Sequence, residues 1–393
     1  MLVLAAMLMA SNTLSAASVE RDQAYRMHVR LTGVPPTNTV LDAMEQEIKA
    51  NGAEAAAMIA MDNPAFYNVT LKNFVAPWTN ESQSVFVPLN DYTATVIGMI
   101  RDDVPFSQVL SGDILYVGNM AGLPPYSNSD NKHYEALEKL GGDLSDPNIL
   151  QRKTQSEITG LAAGATAGVI TTRAAAEAFF VDGTNRAMFR FTMINHLCTD
   201  LEPLKDVSRV PDRVRQDVSR SPGGDSRIFM FNCVGCHAGM DGLSGAFARY
   251  NFDNDSQQLV YTPNAIAAKY SNNSNNFKPG HVTTDDSWIN YWRNGQNQLL
   301  GWSNTPATGV QLDERGNAFG VGAKSMGAEL ASSEAFGRCQ VKKAFQAICL
   351  HDPNNYAADR LAVNAIATDF MVRGSMKTVF AKVAAYCKES PAP

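Results

Sequence analysis

Cys233-Val234-Gly235-Cys236-His237, continued by Ala238-Gly239-Met240-Asp241-Gly242-Leu243, is the stretch on which the reading of this chain turns. Two cysteines separated by two residues, with histidine directly after the second, form the pattern that attaches a c-type haem. Both thiols add to vinyl groups held a fixed distance apart, and the adjoining histidine is delivered to the iron from one face of the ring. A two-residue spacer places both sulfurs on one side of a helical turn. Ser226 to His237 is therefore expected to be helical, with Ile228, Phe229 and Phe231 available to bury it. Gly239 and Gly242 are expected to let the chain leave that helix.

Other chemistries compete for the motif. A thioredoxin-like redox pair would sit within a βαβ pattern, which this region lacks. A zinc site would need a second Cys/His pair at finger spacing. The next histidine is His281, and no cysteine follows before Cys339. A disulfide beside a chance histidine is the third alternative.

The sixth iron ligand has several candidates. Haem c in electron carriers is usually held by His/Met or His/His pairs. Met240 lies too close to His237 along the chain to reach the opposite face of the ring. His281 follows the Asn-rich run Ser271–Asn276 in a loop expected to move freely, and is the first candidate. Met326 on a helix is the alternative, and an open position is the third. His28, His133, His196 and His351 are expected to be surface or capping residues. Trp288, Tyr291, Trp292 and Trp302 are expected to pack around the macrocycle, which needs large apolar surface to bury it. Asp253-Asn254-Asp255 starts like a calcium loop but lacks the later Gly and Glu.

The chain before Glu20 carries no charge. Met1 to Met9 is apolar, polar Ser11-Asn12-Thr13 follows, and Leu14-Ser15-Ala16-Ala17 ends in small residues. This pattern predicts a secretory signal at residues 1–17, although no Lys or Arg precedes the apolar core. The stretch is too short to span a bilayer. The rest is expected to work in the periplasm, at the cell surface or outside the cell. Of six cysteines, four remain outside the motif, and an oxidising compartment would pair them. Cys339 and Cys349 fall on one predicted helix, roughly 15 Å apart along its axis, beyond disulfide reach. Spacing alone does not decide between the two pairings that remain of three; Cys198–Cys339 with Cys349–Cys387 is the one expected. A net charge of -6 without basic runs gives no sign of nucleic-acid binding.

The fold class reads as mostly α. Helical spacing covers Thr39–Ala50, Glu54–Met61 and Thr93–Asp102, the last behind a cap at Asn90-Asp91. It recurs over Thr172–Leu197, broken at Asp182-Gly183, and over Lys324–Cys349, Ala357–Met371 and Met376–Lys388. Strand signals are confined to Ser84–Val87 and Leu259–Tyr261. Ser221-Pro222-Gly223-Gly224 marks a boundary. A helical N-terminal domain (18–220) would precede a cytochrome c-like haem domain with a C-terminal three-helix segment (221–393).

The motif region, with Tyr250-Asn251-Phe252-Asp253 after it, resembles the planctomycete-type cytochrome c domain proteins. In that family the motif is typically followed by Met-Asp-Pro-Leu-Gly, and here Gly242 takes the place of the Pro. Other collinear segments agree in order. These are Leu31-Thr32-Gly33-Val34-Pro35-Pro36, Asp103-Val104-Pro105-Phe106 through Leu110-Ser111-Gly112-Asp113, Val117-Gly118-Asn119, Gly168-Val169-Ile170-Thr171 with Leu197-Cys198, and Leu330 to Cys339. The resemblance spans nearly the whole chain after the signal and implies an exported haem protein. It supplies neither a substrate nor a distal ligand.

The leading functional expectation is a module with one covalent haem c that carries single electrons between redox partner proteins or within a larger assembly. A haem enzyme with an open, peroxidase-like distal site would draw on His281, Arg293, Asp285 or Asp286. A structural subunit of a surface or filament assembly would use haem as a staple. No nucleophile elbow, phosphate loop or paired-carboxylate pattern points to other chemistry.

Overall fold

The computed structural model describes residues 18–181, 183–276 and 279–389. The expected signal at 1–17 lies outside them, as do Asp182, Phe277 and Lys278. Helix accounts for 56% and strand for 8%, so the mostly-α reading holds at that level. No helix among the described residues is long and apolar enough to cross a membrane.

Three helices open the fold, Val19–Thr32, Asn38–Asn51 and Ala53–Met61. Ser18 and Thr37 start the first two, each hydroxyl accepting from an amide in the first turn. Gly33, in the left-handed region at φ 75°, closes the first with its N–H on Val29 O. The sequence pattern does not mark that first helix. The helix Asp91–Arg101 is capped by Asn90, as expected, and is buried along its whole length. Buried Asp91 receives the amides of Arg173 and Ala174 at 2.6 and 3.0 Å, which anchors the start of the helix Arg173–Phe179.

The expected break in Thr172–Leu197 is present. Arg173–Phe179 and Arg186–Thr192 are separate helices, and a π-turn, Met193–Leu197, ends the second. Lys324–Cys349 is also two helices, Gly322–Ala331 and Glu334–Cys349, because Ser333 interrupts it as an N-cap accepting from Phe336 N. Ala357–Arg373 and Met376–Tyr386 complete the C-terminal set.

Short antiparallel strand pairs decorate the helices. Leu115–Gly118 pairs with Leu150–Lys153, and Tyr250–Asp253 pairs with Gln258–Tyr261. Ala318–Val321 lies between Ser287–Asn290 and Gln311–Leu312 in a three-stranded sheet. Ser84–Val87 is not a strand; the segment turns around Asn80, whose side chain bonds both the Ser84 amide and its carbonyl.

The apolar core is continuous across the exposed turn at Ser221–Gly224. The last helix packs on the first and third helices. Phe380 meets the edges of Phe66 and Phe74 at 5.2 and 5.3 Å between ring centres. Two disulfides reinforce this closure, Cys198–Cys339 with Cα atoms 5.2 Å apart and Cys349–Cys387 at 5.6 Å. Both match the expected pairing.

Candidate functional site

The motif sits on helical backbone that runs from Ser226 to Ser244. A first turn, Ser226–Ile228, is started by the Asp225 carboxylate accepting from Arg227 N at 2.9 Å. A π-turn, Phe229–Cys233, leads into the helix Val234–Ser244. Glycines do not release the chain after His237, contrary to the expectation. They form a flat face on which the strand Ser287–Asn290 and the turn behind it lie. A β-carbon at Gly245 would be 2.6 Å from Ser287 O, and one at Gly242 2.8 Å from Ile289 O. One at Gly239 would fall inside the Trp292 indole. The helix and this strand therefore touch backbone to backbone, which fixes the direction in which Cys233, Cys236 and His237 face.

Cys233 and Cys236 are the two cysteines left as thiols, and both are partly exposed. Cys236 Sγ lies 3.7 Å from Leu201 O, and burial pushes its thiol up from the ordinary value. A redox-active Cys-x-x-Cys pair works with a lowered thiol instead, and helical turns, not a strand, precede this one. The segment 201–207 braces the motif: Asp206 N donates to Gly235 O at 3.1 Å, and Val207 lies over Gly235. Val207, Ile228, Met230 and Phe231 are exposed, Phe231 by 68%. Large apolar side chains left open beside the thiols are what an apolar ring would cover. The roomier cavities, about 540 Å³ each, are lined by other residues.

His237 is held from behind. Its Nδ1 donates to Asp241 Oδ1 at 3.2 Å, one helical turn along, and no described residue bonds Nε2. Asp241 is buried and receives Arg186 at 3.0 and 3.1 Å and the Arg215 amide at 3.2 Å. Arg186 in turn grips Asp217 with two bonds of 2.9 Å. Burial opposes the charge on Asp241, but His237 and Arg186 outweigh it and hold the carboxyl at about 2. This donor set fits a haem: two free thiols on one turn, and an imidazole with one nitrogen anchored and the other open.

The structure thus brings Cys233, Cys236 and His237 together. His281 lies on a segment tied to Val214–Gln216 by His281 N to Val214 O at 2.8 Å and Gln216 N to His281 O at 3.1 Å. Its backbone is pinned by that ladder, not free as expected. Burial first, then Arg213 and Arg215, lower the imidazole's affinity for a proton. Met326 is fully buried in the main core.

Trp288 is buried and donates to Ser325, and Trp302 donates to Glu329 O. Trp292 backs the motif helix. Their surfaces are thus largely taken up by protein. Three histidines expected to be surface or capping residues are buried and hold the fold. His28 bonds Val34 O, His133 joins Gly118 N to Pro124 O, and His196 meets Tyr92 Oη at 2.8 Å. His351 bridges Cys349 O and Asp359. The polar groups an open distal site would use are already engaged, Arg293 with Glu329 at 2.7 Å and Asp286 with Arg249 at 2.9 Å. Asp285 caps Ser287 N.

Asp241, Arg186, Asp217 and Arg215 were not singled out from sequence. Asp241 stands four residues after His237, a spacing that puts both on one helix face. The others come from distant segments and carry no local signal. Comparison of the chain with protein-family models, with curated proteins and with solved structures finds no match.

Proposed function

We propose that this chain is an exported monohaem c-type cytochrome, akin to the planctomycete-type cytochrome c domain proteins, that passes single electrons between redox partner proteins or within a larger assembly. Cys233 and Cys236 would hold the haem through thioethers, and His237 Nε2 would bind its iron. The group supplies a one-electron couple when bound. The chain's own part is to aim the imidazole through Asp241, to brace the motif with Leu201–Val207, and to leave Val207, Ile228, Met230 and Phe231 for the ring to cover. His281 is the proposed sixth ligand, because it keeps solvent access where Met326 has none. The periplasm, cell surface or extracellular space is the proposed location.

One observation carries the reading. Four of six cysteines are paired, and the two left as thiols are those of the motif, beside a histidine whose Nδ1 alone is engaged. The test is production in a host that attaches haem c, followed by mass measurement and reduced and oxidised absorption spectra with and without carbon monoxide. One haem of added mass, lost in the Cys233→Ala/Cys236→Ala double variant, and sharp reduced bands indifferent to carbon monoxide are expected. Bands that shift with carbon monoxide would move the assignment to an enzyme with an open site. Absence of bound haem would overturn it.

A further inference from the structure

Behind His237 runs a chain of three alternating charges, Asp241, Arg186 and Asp217, that binding alone does not require. His237 Nδ1 meets Asp241, Asp241 meets Arg186 in a two-pronged bond, and Arg186 meets Asp217 in another. The Asp241 side chain is completely shielded from solvent, and Arg186 and Asp217 are about four-fifths shielded. Water therefore screens the chain less than it would a surface pair. Arg186 and Asp217 come from a different part of the sequence, so this is a tertiary arrangement and not an accident of helix spacing.

We infer that this relay sets the reduction potential of the haem, with Asp241 as a positioning residue acting through His237; the inference rests on the haem reading above. A carboxylate accepting from the imidazole N–H makes the opposite nitrogen a stronger electron donor. Stronger donation favours the oxidised iron and lowers the potential. Arg186 works against this, because it draws the same carboxylate toward itself on both oxygens. Asp217 in turn occupies Arg186 and relieves part of that draw. The three side chains thus push the potential in alternating directions: Asp241 down, Arg186 up, Asp217 down. Two points separate such a device from a merely structural ion-pair network. The carboxylate faces the anchored nitrogen of the proposed ligand directly. The alternation predicts opposite signs for neighbouring substitutions, which a general loosening of the site would not give.

The test uses the full-length protein with haem attached and reads the midpoint potential by spectroelectrochemistry. Asp241→Asn keeps an acceptor for Nδ1 but removes the charge, and should favour the reduced form by roughly tenfold, about 59 mV for one electron. Asp217→Asn should move it the same way by a smaller factor. Arg186→Gln should move it the opposite way. If Asp241→Asn misfolds, the Asp217 and Arg186 variants still carry the prediction of opposite signs. A change below twofold in Asp241→Asn, or shifts of one sign in all the variants that fold, would overturn the relay while leaving haem attachment standing. A wild-type protein without covalent haem would instead bring down the haem reading itself.

Discussion

Replacing Gly239 by alanine tests how tightly the motif helix is seated. The added methyl would lie 2.6 Å from Trp292 Cε2, 3.0 Å from Cδ1, and closer still to Nε1. Trp292 is 1% exposed and tilts against Phe189 with ring centres 5.8 Å apart, so the indole has nowhere obvious to go. Overpacking a filled core costs about 1–3 kcal/mol, and this overlap belongs at the upper end. Alanine recovers about 1 kcal/mol over glycine inside a helix. The balance is a loss of about 2 kcal/mol, and with a urea slope of about 3 kcal/mol/M the midpoint should drop by roughly 0.7 M. Gly242→Ala and Gly245→Ala, which meet backbone carbonyls, should also lose stability, since carbonyls in a paired strand cannot rotate away. Urea unfolding followed by tryptophan fluorescence measures all three. A Gly239→Ala protein as stable as the parent would show that Trp292 yields and that the helix is not pressed against its strand.

Acid should act through Asp241. Its carboxyl is held at about 2 against an ordinary 3.8, a gap worth about 2 kcal/mol of stability. A carboxyl lowered on folding stabilises fully above its unfolded value and loses that contribution as pH falls from about 4 through about 2. Asp241→Asn should therefore be less stable than the parent at pH 7 and approach it near pH 2; a difference independent of pH would contradict the assignment. The two disulfides span 141 and 38 residues, and loop entropy makes the longer closure worth about 1 kcal/mol more. Denaturation of the Cys198→Ala/Cys339→Ala and Cys349→Ala/Cys387→Ala pairs should rank in that order, and the reverse order would count against it. On the haem-loaded protein, His281→Ala should open a carbon monoxide site in the reduced spectrum. Met326→Ala should cost about 2–5 kcal/mol as a core truncation without changing the spectrum. The opposite pattern would make Met326 the ligand.

Much of the helical framework is legible in the sequence, because burial on one face writes a period. Thr39–Ala50 and Glu54–Met61 fall within a residue of the observed helices, and Ala357–Met371 within two. The break inside Lys324–Cys349 was also written there, as a serine three residues before Phe336, but periodicity runs through it and hides the cap. A strand of four residues such as Leu115–Gly118 offers too few positions for alternation to stand out, and its partner lies over thirty residues away. The three central residues of the motif stand out because their spacing is that of a haem c attachment pattern. It did not announce their support. The glycines at 239 and 242 read as flexibility when seen alone, and as a contact surface only once the strand is laid on them. Arg186 and Asp217 carry no mark at all, since a charged residue that ends in a buried relay looks the same in sequence as one that ends in water.

That distribution of supports bears on where the chain divides. Residues before Ser219 supply Leu201 O against Cys236, Asp206 N to Gly235, Val207 over Gly235, and the whole of Arg186, Arg215 and Asp217 around Asp241. Residues from 53 to 61 and Phe66 carry the last helix, and Cys198 pairs with Cys339. A fragment beginning at residue 221 would keep the motif and lose these partners. Asp241 would be left in an apolar setting without its cation, and breaking such a buried pair costs about 3–5 kcal/mol. Phe380 and its neighbours would be exposed as well. This is comparable to the whole stability of an ordinary domain, about 5–15 kcal/mol. The expected result is a 221–393 fragment without a cooperative unfolding transition and with weak or absent haem attachment, while the full chain shows both. If the fragment instead unfolds sharply and takes up haem as the full chain does, the motif region is a domain in its own right. The contacts from the N-terminal half would then be an interface between two folding units, and the relay through Arg186 would be dispensable for the site's integrity.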